Sequence, residues 1–316
     1  MSENDVLVTV VTLAFNQEKY IRQCLEGIVS QKTTFRFELI VHDDASSDNT
    51  ANIIREYQQK YPFIVKAILQ EENQYSKGGK IGARFIYPIA KGKYIAECEG
   101  DDYWCDPNKL QKQVDFLEKH LDYGLCYGMA KQYVQAKKKF STTRGKDYVS
   151  FENYLLCSNC IPTLTVCYRK ELLLQYLQEK ESFNQSWKMG DYPQWLWFSV
   201  HSKLKFFPEI FGVYRILNNS AAHSTDIEKQ ISFHVSGRNC ANFFSKRYLN
   251  KELPPFEEHH ERARLYSARL HDRKKAYEEY KLIPHKNSKY KILAALHSNP
   301  VTFLLLRIYY SLRYKQ

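Results

Sequence analysis

The chain has 316 residues, is 44% hydrophobic and 26% charged, and carries a formal net charge of +11. Such a length and apolar share support a sizeable core, and they exclude a wholly disordered chain or a repeat array. The basicity is unevenly placed: residues 1–224 hold 28 Lys and Arg against 26 Asp and Glu, residues 225–316 hold 18 against 9, so +9 of the +11 lies in the tail.

Val6 to Phe15 is an apolar run rich in β-branched residues, the pattern of a parallel strand buried on both faces. It ends at Asn16, after which Tyr20, Ile21, Cys24, Leu25, Ile28 and Val29 recur at helical spacing. A second strand, Phe37 to Val41, runs into His42-Asp43-Asp44-Ala45-Ser46-Ser47-Asp48-Asn49-Thr50 and a helix that Pro62 stops after Tyr61. Tyr94 to Cys98 is strand-like and leads directly into Glu99-Gly100-Asp101-Asp102-Tyr103-Trp104, with a helix expected from near Pro107. Thr163 to Tyr168 reads as a further strand followed by a helix through Glu179, and Met189-Gly190-Asp191-Tyr192-Pro193 opens an aromatic helix from Gln194 to His201. Strand alternating with helix predicts a doubly wound α/β fold, in which ligands sit beyond the carboxyl ends of the strands. Asn16, Asp43, Asp44, Asp101 and Asp102 all fall at such ends.

Adjacent carboxylates at a strand end repel unless a divalent cation or a ligand's hydroxyls share their charge. Hard carboxylate oxygens suit Mn2+ or Mg2+, and such sites are usually completed by substrate phosphates. A nucleotide diphosphate held through a metal is therefore expected at Asp101 and Asp102. The competing reading is a turn that caps the helix after Asp106-Pro107-Asn108.

Three motifs, in order, resemble family 2 glycosyltransferases of the GT-A fold, inverting enzymes that use nucleotide sugars. They are Val11-Thr-Leu-Ala-Phe-Asn16-Gln-Glu-Lys-Tyr-Ile21, Asp43-Asp44-x-Ser46-x-Asp48-x-Thr50, and Gly92-Lys-Tyr-Ile95 followed by Gly100-Asp-Asp102 with Pro107-x-Lys109-Leu110. The resemblance spans roughly residues 6 to 220 and implies a GT-A, Rossmann-like mixed sheet flanked by helices. It implies that Leu13, Phe15, Asn16, Asp44 and Asp101 bind the nucleotide sugar, with Asp44 on the base, and that Asp102 serves the metal. Arg84, after Lys77-Gly-Gly-Lys80, is a candidate phosphate or base contact. Phe211-Gly-Val-Tyr214-Arg215 and Asn218-Asn219-Ser220-Ala-Ala-His223-Ser224 resemble the segment that closes over the diphosphate, so Arg215 is a phosphate candidate and His223 a metal candidate. Inversion needs one carboxylate to take the acceptor proton, and the Gly-Asp-x-Pro context of Asp191 matches the family's base; the alternative is that Asp191 only caps its helix. Trp187, Tyr192, Trp195 and Trp197 offer possible stacking faces for a sugar, the alternative being core, where most aromatics at helical spacing lie. The chain departs from the family's D-x-D-D by placing Glu99 first. It also lacks Q-x-x-R-W, since Gln194-Trp-Leu-Trp197 has no Arg, which favours transfer of one sugar at a time over polymer extrusion.

The expected organisation is a catalytic domain over 1–224 and a basic, mainly helical extension over 225–316. Residues 256–282 and 286–296 read as helical, and Ser298-Asn299-Pro300 starts a last apolar segment that ends at Leu312. That segment is too short to span a bilayer, for which about 20 residues are needed. With seven Lys and Arg and no acid from Lys281 to Gln316, it suggests either an interfacial helix on an anionic membrane or an ordinary packing helix. Eight scattered cysteines, with Cys157-Ser-Asn-Cys160 as a lone C-x-x-C, argue against zinc and for a reducing compartment. The polar, acidic start Met1-Ser-Glu-Asn-Asp5 fits a cytoplasmic protein. The expected partners are a nucleotide-sugar donor and a glycan or lipid-linked acceptor, with no nucleic acid. A nucleotidyltransferase acting on sugar phosphates is the rival enzyme, and an inactive binding or scaffold relative the rival of another class.

Overall fold

The computed structural model describes residues 5–313 apart from 79, 157–158, 184, 218–225, 269, 271 and 284–287. The chain forms two compact units, Met1–Ser186 with Gly190–Arg215, and Trp187–Met189 with Ile216–Gln316.

The first unit is built on strands β1 (Val6–Ala14), β2 (Arg36–Asp43), β3 (Val65–Leu69), β4 (Tyr94–Glu97), β5 (Tyr103–Trp104), β6 (Tyr123–Val134), β7 (Lys139–Arg144), β8 (Cys167–Arg169) and β9 (Lys203–Ile216). They make one sheet in the order β3-β2-β1-β4-β8-β6-β9-β5, with β7 on β6. β1 to β4 pair parallel, whereas β4 with β8, β8 with β6, β6 with β7 and β5 with β9 are antiparallel. This is the mixed sheet that the motifs imply. Its helices are α1 (Ile21–Val29), α2 (Thr50–Lys60), α3 (Lys109–Lys119), α4 (Phe151–Leu156), α5 (Lys170–Lys180) and α6 (Asp191–His201).

β1 is the reason the site lies where it does. Val8, Val10 and Ala14 are buried together with Leu39 and Val41 of β2 and Tyr94 and Ala96 of β4, and Ile21, Cys24, Leu25 and Ile28 of α1 cover them. The α1 residues lie on one face at helical spacing, and each fully buried Leu or Ile contributes about 1.5–3 kcal/mol. The register sets Ala14 beside Asp43 and Val11 beside Glu97, so the carboxyl ends of β2, β1 and β4 stand side by side.

Two expectations change. Thr163 to Tyr168 is not one strand: Thr163–Thr165 is a 3-10 turn after Pro162, and only Cys167–Arg169 joins the sheet. The Thr165 hydroxyl lies 2.7 Å from the Pro162 carbonyl and 3.1 Å from that of Gly128, a side-chain alternative to the strand ladder. Tyr192, Trp195 and Trp197 are 4%, 0% and 2% exposed, so they are core and not sugar-stacking faces. Trp187 belongs to the second unit, where its ring packs on Phe243 and Phe244.

The second unit comprises α7 (Ile227–Leu249), α8 (Glu258–Ala268), α9 (Arg273–Leu282), α10 (Ser288–Ser298) and α11 (Pro300–Arg313). α7 was not evident from periodicity because its buried positions mix Gln230, Ser236 and Ser245 with Ile231, Cys240 and Phe244. Asp226 caps it by accepting from the Glu228 and Lys229 N–H groups. The helical stretch 256–282 is two helices, the second capped by Asp272 through the Lys275 N–H at 3.1 Å. On α11, Phe303 and Leu306 are buried while Val301, Leu304 and Leu305 are exposed. Among the described residues no helix is long and apolar enough to cross a membrane.

Gly92 marks the tightest approach in the sheet. A Cβ there would lie 2.3 Å from the Thr9 nitrogen, 2.6 Å from the Val8 carbonyl carbon and 2.7 Å from the Tyr94 oxygen, all backbone. Gly92→Ala is expected to destabilise the first unit by about 3 kcal/mol, read as a lower denaturant midpoint; an unchanged midpoint would contradict the packing.

Candidate active site

The loops after β1 and β2 are laced to each other. The backbone N–H groups of Asn16, Gln17 and Glu18 donate to Ser46 Oγ (2.8 Å), Thr50 Oγ1 (2.8 Å) and Asp48 Oδ2 (3.0 Å). Asn16 takes the left-handed conformation, φ +52°, and its Oδ1 accepts from the Ser47 N–H at 2.9 Å, so its side chain shapes the loop. Asp43 accepts from the Ser46 N–H at 3.1 Å. Most of the Asp43-to-Thr50 motif therefore builds the loop. Asp44 is buried, with Oδ1 accepting from the Gln74 N–H (2.7 Å) and Oδ2 from that of Tyr75 (3.0 Å). Gln74 Oε1 in turn accepts from Arg84 Nη2 at 3.1 Å, and Arg84 stands on a π-helical segment, Gly82–Ile86. Asp44 and Arg84 thus meet around Gln74. Beside them Leu13 and Phe15, 38% and 49% exposed, interrupt an otherwise buried strand end.

The acidic turn follows β4. Gly100 N–H donates to the Leu13 carbonyl at 3.0 Å, and a Cβ on Gly100 would lie 2.2 Å from Gln17 Oε1, which the Gln17 side chain would have to vacate. Asp102 is 1% exposed; its Oδ1 accepts from the Arg215 N–H at 2.7 Å, and its Oδ2 has no hydrogen-bond partner among the described residues. Arg215 reaches the turn from β9. Its guanidinium donates to the Asp101 carbonyl and to Gln23 Oε1 and lies over the rings of Tyr20 (5.2 Å) and Tyr103 (4.7 Å). Its fork thereby braces the acidic turn. Burial, then the charges of Asp101 and Glu99, push the Asp102 carboxyl well above the usual range, and burial raises Asp101 too.

Asp191 is the first residue of α6, and the N-cap position is Gly190, so Asp191 is not the capping residue. Its Oδ1 accepts from the Tyr192 N–H (2.8 Å), and its Oδ2 from Asn159 Nδ2 (2.7 Å) and Thr163 Oγ1 (3.2 Å). The charge of Asp191 is felt at Glu97 and Glu99, which ties the three carboxylates into one region. Burial, and to a lesser degree Asp191, raise Glu97 to about 7, although the Tyr168 hydroxyl donates to it. Glu99 is open to solvent yet walled by protein; desolvation and then Asp101, Glu97 and Asp191 raise it to about 8, opposed by Arg144. Sequence reasoning missed Glu97, Arg144, Asn159 and Thr163. A signal existed only for Glu97, a charged residue inside an apolar strand.

Among the described residues no three His, Cys, Asp or Glu side chains are grouped to hold a metal by themselves. His223 lies outside the described residues. A buried, unpartnered carboxylate oxygen on Asp102, beside a second raised carboxyl, is nevertheless the donor chemistry a hard divalent cation requires.

The sequence profile of glycosyl transferase family 2 matches residues 9–174. The chain belongs to that family. An uncharacterised protein of Mycobacterium tuberculosis is 31% identical over 237 residues, covering 74% of this chain and 66% of that protein, so the chain spans just under two thirds of that relative's length. The Escherichia coli UDP-Glc:alpha-D-GlcNAc-diphosphoundecaprenol beta-1,3-glucosyltransferase WfaP is 34% identical over 112 residues, 35% of this chain and 41% of that enzyme. Among solved structures, Staphylococcus aureus TarS 1–349 with UDP-GlcNAc superposes with a TM-score of 0.56 at 17% identity, covering 98% of this chain and 93% of TarS. The fold of this family 2 glycosyltransferase is GT-A.

Asp44 gives a test of the loop architecture. Asp44→Asn places an amide donor against the Gln74 or Tyr75 N–H, so the nucleotide-free glycosyltransferase is expected to lose about 1–3 kcal/mol of stability. A group that only contacts a ligand would leave the ligand-free denaturation midpoint unchanged, and that result would contradict this assignment.

Proposed function

We propose that this family 2 glycosyltransferase moves one sugar at a time, with inversion, from a UDP-linked donor to a hydroxyl of a glycan or lipid-linked acceptor, with Mn2+ or Mg2+ bound. The observation that carries this reading is the buried, unpartnered Asp102 Oδ2 next to Asp101 at the carboxyl end of β4, with Asp191 within electrostatic reach of the same strand end. UDP donors in the printed names of WfaP and of the TarS complex support the choice of nucleotide, and the diphosphoundecaprenol acceptor of WfaP supports a lipid-linked acceptor.

In this reading Leu13 and Phe15 give the base apolar contact, Asn16 shapes the loop beneath it, and the unused lone pairs of Asp44 accept the uracil ring N–H. Arg84 meets the base or a phosphate, and Asp101 serves the ribose. Asp102, with His223, holds the cation, which supplies Lewis-acid stabilisation of the departing diphosphate. Asp191 takes the acceptor's hydroxyl proton as that oxygen attacks the anomeric carbon from the face opposite the diphosphate. The acceptor O–H bond breaks, the new O–C bond forms and the bond from carbon to diphosphate breaks, so an α-linked donor gives a β-linked product.

The second unit fits the same reading as a membrane-facing extension at the cytoplasmic side. Its net positive charge and the exposed Val301, Leu304 and Leu305 of α11 suit an anionic surface. The seven cysteines among the described residues form no disulfide, in keeping with a reducing compartment.

Asp102→Ala tests the assignment. With Mn2+ present and UDP at 100 times its Kd, the wild-type fold is expected to gain about 2.7 kcal/mol and the variant to gain none, each gain being read against that protein's own ligand-free midpoint because Asp102→Ala also leaves the Arg215 N–H without its acceptor. Equal Mn2+-dependent UDP affinity in the two proteins would overturn it.

A further inference from the structure

Asp191 is held by residues that no motif announced. Asn159 lies between α4 and the 3-10 turn, and its side-chain oxygen accepts from the Tyr154 hydroxyl (2.9 Å) and from the Ile161 N–H (3.2 Å). Two donors on that oxygen settle the orientation of the amide, so the NH2 must be the end that faces Asp191 Oδ2 at 2.7 Å. Arg144 Nη2 also donates to the Asn159 main-chain carbonyl, at 3.4 Å. Tyr154 is fully buried, its carbonyl accepts from the Tyr192 hydroxyl (3.3 Å), and the two rings meet edge to face at 5.5 Å. Tyr154 and Asn159 therefore connect α4 to the first turn of α6 through side chains that have one arrangement each.

We propose that Asn159, oriented by Tyr154, is a positioning residue that fixes which oxygen of Asp191 receives the acceptor proton. The proposal rests on the reading of Asp191 as the base. Oδ2 meets the Asn159 NH2, which only donates, and the Thr163 hydroxyl. Among the described residues Oδ1 accepts one hydrogen bond, from the Tyr192 N–H, and keeps a lone pair for the acceptor hydroxyl. During transfer the acceptor O–H bond breaks and an Oδ1–H bond forms, the acceptor oxygen bonds the anomeric carbon, and the diphosphate leaves with the electron pair of the broken C–O bond. The Asn159 contact persists throughout, because it uses the other oxygen. Without it Oδ2 keeps only the longer Thr163 contact, so the carboxylate is held less firmly about its Cβ–Cγ bond and the reactive lone pair loses aim while the donor site is untouched.

The test uses the full chain with Mn2+ and water as the acceptor, following release of nucleotide from UDP-glucose, UDP-N-acetylglucosamine or GDP-mannose, whichever the wild type turns over fastest. Asn159→Ala is expected to lower kcat by about 10- to 100-fold with donor KM within twofold of wild type. Asn159→His, which keeps a ring N–H, should recover part of the loss, and Asn159→Asp, which sets a second carboxylate against Oδ2, should fall below Asn159→Ala. Tyr154→Phe removes only the hydroxyl that orients the amide; it should reduce kcat several-fold at unchanged KM, and it carries the test if Asn159→Ala does not fold. A kcat within twofold of wild type in Asn159→Ala, or in Tyr154→Phe where that variant carries the test, overturns the proposal, as does a loss that Asn159→Asp and Asn159→His share equally. Asp191→Asn separates the two levels: wild-type turnover there overturns the base reading itself, whereas a dead Asp191→Asn enzyme beside a fully active Asn159→Ala enzyme overturns only the positioning role.

Discussion

Carboxylate repulsion at the end of β4 is the constraint around which the first unit is organised. Glu97, Glu99, Asp101 and Asp102 follow one another within six residues, and Asp191 approaches from α6. Burial and mutual repulsion raise Glu97 to about 7 and Glu99 to about 8 and push Asp102 well up. Glu97 has an ordinary value of 4.5, so between about 4.5 and 7 the folded chain retains a proton that the unfolded chain has released. Stability from this group therefore falls as pH rises through that window. Under the function proposed above, a divalent cation bound at this turn would offset that penalty.

The rest of the scaffold serves to hold that turn still. β1 lies between β2 and β4, and the Leu13 carbonyl accepts from Gly100 while that of Ala14 accepts from the Asp44 N–H at 2.9 Å. One strand end thereby positions both the loop after β2 and the acidic turn. Arg215, far away in sequence, closes the other side through its N–H on Asp102 and its guanidinium on the Asp101 carbonyl. Lys109, from the Pro-x-Lys-Leu motif, is a fully buried cation below the turn. It sits 4.0 Å over the Trp104 ring, donates to Gln113 Oε1 and the Val166 carbonyl, and is lowered by burial to about 8. That motif residue is thus a structural post under the site.

Strand ends and acid pairs were readable because they depend on local pattern: a buried parallel strand announces itself by unbroken β-branched residues, and the aspartates follow directly at its end. The protein partners of Asp44 and Arg215 were not, since they are remote in sequence: the Gln74 and Tyr75 N–H groups in one case and Gln23, Tyr20 and Tyr103 in the other. Aromatic spacing on α6 left two readings open, because Trp195 and Trp197 look alike in sequence as ligand platforms and as core, and burial chose core. Asn159 and Thr163 carried no pattern at all, because a single hydrogen bond to Asp191 leaves no periodicity behind.

The most direct measurement is the proton balance of metal binding. Isothermal titration of UDP with Mn2+ into the full chain at pH 7, repeated in buffers of different ionisation enthalpy, counts the protons released. Raised carboxyls at Asp102 and its neighbours require that Mn2+–UDP binding release protons and that its affinity fall as pH is lowered from 8 to 6. No proton release, with affinity constant across that range, would contradict the claim that this carboxylate cluster is built around a cation.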